Sequence, residues 1–229
     1  MYAASLVCLL VFSLAGWLVE PPFRWLFWLA ALGSAYFTLS SLLVSFWVYD
    51  WSGFYRWKWL PAASPKTVLN IHAGFDESSR ALHQRYPSAE LTVLDFYDAA
   101  RHTEPSIARA RAFLPPLSGT LACSTCHLPL EDQSQDLVFL IFAAHEIRDA
   151  AERKQFFGEL RRVCRGRIYL VEHQRDLANF LAFGPGFQHF HSPAQWRQSW
   201  TGAGLKCLEE RFFTPFVRIF VLQGSSCST

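Results

Sequence analysis

The sequence contains no run of basic residues: its 21 Lys and Arg are dispersed among 19 Asp and Glu, for a net charge of +2. Binding a phosphate backbone needs a concentrated positive face, so this absence excludes nucleic acid as an expected partner. Internal repeats and low-complexity tracts are lacking too, which leaves one domain plus an appendage as the architecture for 229 residues. Charge is missing altogether from two N-terminal stretches, Ala3 to Val19 and Trp25 to Tyr49. Each can cross about 30 Å of hydrocarbon as a helix, the first only just, and residues 1–50 read as a transmembrane hairpin. No basic segment precedes the first stretch, and Ser13-Leu14-Ala15-Gly16 is a poor cleavage site, which argues against a secretory signal peptide.

Orientation follows from the few cations present. The connector between the two stretches carries only Arg24, with Glu20 nearby, whereas Arg56, Lys58 and Lys66 follow the second. Basic residues are retained on the cytoplasmic side, so the chain is expected to be integral to the inner (plasma) membrane with its C-terminal domain in the cytoplasm. Were the first stretch cleaved, the second would still act as a stop-transfer helix and leave that domain inside. Six cysteines in a reducing compartment do not imply a disulfide framework.

Residues 51–65 are expected to be an interfacial segment and linker. Seven aromatic residues crowd Trp47 to Trp59, alternating with polar and basic ones. They read either as a belt at headgroup level or as a lip through which an amphiphilic substrate enters. Pro61 to Pro65 then breaks the pattern.

From Lys66 onward strands and helices alternate. Thr67 to His72, Glu90 to Asp95, Leu117 to Cys123, Asp136 to Phe142 and Arg167 to Glu172 read as strands, and Leu205 to Phe212 with Phe216 to Leu222 as a closing hairpin. Between them Asp76 to Tyr86, Thr103 to Phe113 (capped by Thr103), Asp149 to Cys164 (ended by Gly166) and Ser192 to Gly202 read as helices. This order predicts an α/β fold over residues 66–229: a doubly wound, mostly parallel seven-stranded sheet preceded by two transmembrane helices.

In such sheets ligands bind beyond the carboxyl ends of the strands. The first strand ends at Asn70, His72 and Gly74 before Asp76 and Glu77 open a helix, where backbone approaches a ligand closely. The second ends in Asp95, followed by Phe96, about twenty residues on, where a carboxylate can accept two ribose hydroxyls. His145-Glu146 follows the fourth strand and Glu172-His173 ends the fifth.

These features resemble class I S-adenosylmethionine-dependent methyltransferases, especially the ubiquinone and menaquinone C-methyltransferase branch. The resemblance runs over about residues 66 to 222. It rests on Asp136 to Ile147 as the fourth-strand motif, Leu128 to Asp132 as the loop before it, and Glu159 to Val163 with Gly166 to Leu170 as helix and fifth strand. Where that family places Asp-x-Gly-x-Gly-x-Gly, this chain has Asn70, His72, Gly74 and Asp76, so one glycine of three is kept. The acidic residue usual on the adenine side falls at Ser124.

The resemblance implies S-adenosylmethionine as cofactor, with contacts from Asn70, His72, Gly74, Asp95, Phe96 and Ser124. Asp76 and Glu77 either meet the cofactor's ammonium group or only favour a helix N-terminus. It further implies that His145, Glu146 and His173 face the acceptor, with an imidazole able to remove a phenolic or enolic proton. The expected partner is a hydrophobic small-molecule or lipid acceptor, quinone-like or lipid-like, resident in the membrane; oligomeric state is not legible. Two rivals stand beside this reading: a catalytically inactive methyltransferase-like interaction module, and a divergent quinone-modifying enzyme that uses the same cofactor for amino transfer.

Other residues carry weaker signals. The His and Glu pairs lack any regular metal-ligand spacing, so no metal is expected. Cys123-Ser-Thr-Cys126-His127 matches a haem-attachment pattern that requires the non-cytoplasmic side, leaving free cysteines as the default. Phe180, Phe183, Phe187, Phe190 and Trp196, with His189 and His191, read as either a hydrophobic lid or a packed core segment.

Overall fold

The computed structural model describes residues 2–101 and 105–224. The chain divides into two compact units, Met1–Arg56 with Arg175–His189, and Trp57–Gln174 with Phe190–Thr229.

The second unit is built on a seven-stranded sheet: β1 (Thr67–His72), β2 (Glu90–Asp95), β3 (Leu121–Ala122), β4 (Gln135–Ile141), β5 (Cys164–His173), β6 (Leu205–Thr214) and β7 (Val217–Gly224), in the order β3-β2-β1-β4-β5-β7-β6. β1 pairs in parallel with β2 and β4, β2 with β3, and β4 with β5; β7 runs antiparallel to both β5 and β6. The reversal of strand order at β1 and β4 opens a crevice at their carboxyl ends, the place where such sheets bind ligands.

Period-2 alternation supplies the cores. Leu69, Ile71, Val138, Leu140, Ile168, Leu170 and Phe220 are buried in one cluster with Phe156, Phe157 and Leu160 of α5 (Ala150–Val163) and Trp196 and Trp200 of α7 (Pro193–Gly202). Elsewhere Tyr86, Phe139 and Tyr169 stack in series at 6.3 and 5.1 Å. Asp149 caps α5 by accepting from the Glu152 N–H, and Ser192 caps α7 in a reciprocal capping box with Gln195. Asp136 locks β4 to β1: it accepts from the backbone N–H groups of Lys66 and Thr67 at 2.7 and 3.1 Å and pairs with Arg165. The Arg165 bond, helped by those two N–H groups against partial burial, pushes its carboxyl down to about 2.

Three boundaries differ from expectation for local reasons. The helix expected over Asp76 to Tyr86 is α3 (Ser79–Arg85), because Asp76 Oδ1 accepts from the Ser78 and Ser79 N–H groups and holds the residues before it as a turn. β3 keeps only two residues, since Thr120 N–H closes a turn onto Leu117 O through Gly119 at φ +89°. Gly166 does not end a helix. It lies inside β5, where a Cβ would stand 2.0 Å from Asp136 O, so the close approach of β4 is what requires glycine. The helix after β2 is α4 (Pro105–Phe113); its expected cap, Thr103, lies outside the described residues.

The first unit contains α1 (Tyr2–Leu18), α2 (Arg24–Ser45) continued by a π-helical turn Phe46–Trp51, α6 (Leu177–Phe183) and a 3-10 turn Gly184–His189. α1 and α2 form a hairpin in which Gly16 admits the Trp28 ring and Trp17 meets Trp28 edge-on at 5.8 Å. At 1.5 Å per residue α1 is about 26 Å long, short of a full crossing. Among the described residues, one helix, Arg24–Arg56 with its continuing turns, is long and apolar enough to cross a membrane.

Candidate functional site

At the carboxyl ends of β2, β3 and β4 a cavity of about 220 Å³ is lined by Phe96, Asp98, Arg101, Cys123, Ser124, Thr125, Glu146, Ile147 and Glu152. Phe96 and Ile147 offer apolar walls and Ser124 a hydroxyl. Arg101 and Thr125 are both hydrogen-bonded to Glu152 and close one side. The volume is below the roughly 300–1,000 Å³ usual for a whole ligand, so it suits one end of an extended one. Burial, with Asp95 nearby, pushes the Cys123 thiol up to about 12 and keeps it protonated.

The loop after β1 is held from below. Gly74 sits at φ +89°, a conformation that a side chain strains, and its N–H donates to Asp95 Oδ1 at 2.8 Å. The Tyr97 N–H donates to the same oxygen at 2.9 Å, while Oδ2 receives Arg111 at 2.6 Å. Arg111 also lies over the Tyr97 ring at 4.4 Å. Asp95 is thus the organiser of the loop as well as the expected ribose acceptor, and a ribose must share or displace Arg111 to reach it. Asn70 gives its amide hydrogens to Ser78 and Ser79 at 2.9 and 2.8 Å, but its Oδ1 is buried without a partner. Asp76 Oδ1 accepts from the Ser78 and Ser79 N–H groups at 3.1 and 2.9 Å and from the Asn70 amide at 3.3 Å.

His72 stands apart. It is 3% exposed, and neither ring nitrogen has a hydrogen-bond partner among the described residues. Asp95 Oδ1 lies 3.5 Å from its Nδ1 but is already engaged by Gly74 and Tyr97. Burial lowers its pKa despite the pull of Asp95 and Asp76, so the ring is neutral. A buried imidazole with both nitrogens unpaired is costly unless something satisfies it.

His145 is the opposite case. Its Nδ1 donates to Glu172 Oε2 at 2.8 Å, its backbone N–H donates to Glu172 Oε1 at 3.2 Å, and its Nε2 lies 3.3 Å from Glu146 Oε1. Burial opposes its charge, but the completely buried Glu172 and the nearby Glu146 outweigh it and push the pKa up to about 10. Protonated at neutral pH and held by two carboxylates, His145 has no lone pair with which to act as the expected proton acceptor.

The two pairs do not converge as pairs. Alternation along β5 sends Glu172 to His145 and His173 elsewhere. His173 Nδ1 donates to Phe216 O at 2.9 Å, and its ring is stacked between Phe142 at 5.1 Å and Phe190 at 4.8 Å. Phe190 also meets His145 edge-on at 6.3 Å, so one ring spans both histidines. The expected lid is divided: Phe190 and Trp196 belong to the sheet unit, Phe180, Phe183 and Phe187 to the other. His191 packs on Trp196 and lies 3.2 Å from Arg153 Nη1, and burial with that guanidinium pushes it down to about 3. It is a core histidine. Arg101, Arg111, Tyr97 and Glu152 were not identifiable in the sequence, because only folding brings them to the strand ends.

Residues 69–171 match the family described as a methyltransferase domain. No curated protein sequence matches the chain. Among solved structures, it is similar to a SAM-dependent methyltransferase from Aquifex aeolicus (16% identity, 69% of this chain and 81% of that one, TM-score 0.52). It is also similar to the complex between the Haloferax volcanii Trm112 methyltransferase activator and a methyltransferase (16%, 80% and 93%, 0.56). A third similarity is to an O-methyltransferase from Nostoc punctiforme (16%, 96% and 68%, 0.51). At such identities the structures speak for the fold, a mixed seven-stranded sheet of the class I methyltransferase type; the family match speaks for the activity. Strand order, the Gly74 turn and the matched segment define the class: an S-adenosylmethionine-dependent methyltransferase. The residues present fit that cofactor: toward the end of β1 the Asn70 Oδ1 and both His72 nitrogens are buried without partners among the described residues, and the cavity beyond β2 and β4 has room for one end of an extended ligand.

Proposed function

We propose that the protein transfers a methyl group from S-adenosylmethionine to a hydrophobic acceptor resident in the membrane, quinone-like or lipid-like. The observation that carries this reading is the union, in one chain, of a methyltransferase domain with a helix long and apolar enough to cross a membrane. The chain is accordingly read as integral to the inner membrane, with the sheet unit on the cytoplasmic side where Arg56, Lys58 and Lys66 lie.

The cofactor, when bound, supplies an electrophilic methyl group, so the protein's task is alignment and exclusion of water. Asn70, His72 and the Gly74 backbone hold the amino-acid end, Asp95 the ribose, and Phe96 and Ser124 the base. His145, whose ring nitrogens face Glu172 and Glu146, is held in place by them and shapes the wall beside the acceptor. The proton acceptor in this reading is His173, whose Nδ1–H donates to the Phe216 carbonyl and is thereby fixed in orientation.

The test is to incubate detergent-solubilised full-length protein with methyl-labelled cofactor and either a total membrane lipid extract or an aqueous metabolite extract. Label entering the organic phase, in a product heavier by one methylene unit, is expected. Label confined to water-soluble products contradicts the acceptor class, and a product that has gained an amino group contradicts the reaction.

A further inference from the structure

From Leu177 to Phe187 the chain carries no charge and one polar side chain, Asn179. That side chain is completely buried and donates to Asp176 Oδ1 at 3.1 Å. Apolar residues face outward instead: Leu177 is 70% exposed, Leu181 47% and Phe180 36%. Arg175 and Asp176 precede this stretch, and Gln188 and His189 follow it. Eleven uncharged residues are too few to cross a bilayer and suit a segment that enters and returns on one side.

The level at which this segment meets α2 is fixed by three contacts within one unit. Phe180 packs edge-on against Phe37 at 5.8 Å, and Ser40 Oγ donates to Ala182 O at 2.9 Å. Gly184, at φ +55°, approaches so closely that a Cβ would lie 2.9 Å from the Phe37 ring. Phe37 is the midpoint of the uncharged stretch Trp25 to Tyr49, about 18 Å along the helix from either end. Half the hydrocarbon thickness is about 15 Å. These partners of α6 are residues at the middle of the uncharged stretch. α2 leaves Leu32, Leu39 and Leu43 exposed along the same stretch, continuous in character with the outer face of α6. Water would leave all of this apolar surface unsatisfied; hydrocarbon would not.

We infer that Leu177–Phe187 is a re-entrant, lipid-immersed element whose outer face contacts acyl chains. The inference rests on the membrane-spanning reading of α2. It also gives that reading a consequence for the reaction. The chain leaves β5 one residue after His173 and comes back at Phe190, whose ring stacks on His173. The immersed segment is thus bracketed in sequence by His173, the proposed proton acceptor, and by Phe190, which stacks on it.

The experiment places the photo-crosslinker p-benzoylphenylalanine singly at Leu181, Leu39 and Lys206 of the full-length protein in phosphatidylcholine and phosphatidylglycerol vesicles, with adducts identified by mass. Each side chain is at the surface, so folding should be retained in all three. Lipid adducts at positions 181 and 39, at least tenfold above position 206, are expected. Lipid adducts at 39 but not at 181 overturn the inference while leaving the span intact; a dimer adduct at 181 shows that a second copy covers the face and also overturns it. Absence of lipid adducts at both positions overturns the span and the inference together.

Discussion

Two buried histidines at the same end of one sheet have opposite fates. His145 is enclosed by two carboxylates and carries a charge that the surrounding protein balances. His72, at the end of a neighbouring strand, is equally sheltered, stays neutral, and has nothing to bond. The first is a completed device, the second half of one. A group satisfied within the protein contributes to stability, whereas a group left unpaired costs stability until a ligand supplies its partner. The contrast separates a histidine satisfied within the protein from one that is not, and it is the ground on which Asn70 and His72 are proposed as cofactor contacts.

Substitutions can break this contrast. The largest effect on stability is expected from Glu172→Gln, which leaves the His145 side unbalanced: about 3–5 kcal/mol lost in chemical denaturation. Asp95→Ala comes next, because it removes both the proposed ribose acceptor and the anchor of the Gly74 turn, and should weaken cofactor binding at least about 100-fold, or roughly 2.7 kcal/mol. His72→Phe keeps the ring's volume and removes only its nitrogens. It should weaken cofactor binding by about tenfold, while stability holds or rises by up to about 1 kcal/mol, measured by titration and denaturation of the same preparation. A loss of stability without a loss of affinity in that variant would make His72 a structural residue.

The pH dependence should divide the same way and is the smallest effect. The His145 pKa is raised, so the stability it contributes is fully present below its ordinary 6.5 and fades as pH climbs through about 10. Glu172→Gln should flatten that alkaline limb of Tm against pH. His191 is shifted down, so its contribution is present above 6.5 and is lost as pH falls toward about 3. The burial-lowered His72 acts in the same sense. Melting curves from pH 4 to pH 10 in wild type and Glu172→Gln would show whether the two limbs move independently.

What could be read in the sequence was whatever local pattern controls. β1 and β2 lie where alternation and apolar runs place them, and the closing hairpin begins at Leu205 as expected. Close packing and side-chain capture were invisible. Gly166 resembles a helix stop in sequence, yet it serves the approach of Asp136, and the position of Asp76 before a helix does not reveal that its side chain delays that helix to Ser79. The crevice was legible in outline because strand ends can be found from sequence: Phe96, Ser124 and Glu146 do line one cavity. The roles within it were not. Whether a histidine meets a carboxylate 27 residues away, as His145 meets Glu172, or a carbonyl 43 residues away, as His173 meets Phe216, depends on which side of β5 each residue points. The Arg111 pairing with Asp95 likewise has no sequence signature.

The most direct test of the proposed cofactor contacts is calorimetric titration of detergent-solubilised full-length protein with S-adenosylmethionine and S-adenosylhomocysteine, beside Asp95→Ala and His72→Phe. Wild type should bind in the micromolar range, about 8 kcal/mol, with Asp95→Ala losing detectable binding and His72→Phe retaining a weakened remnant. Absence of binding by folded wild-type protein, or identical affinity in all three, would contradict the account.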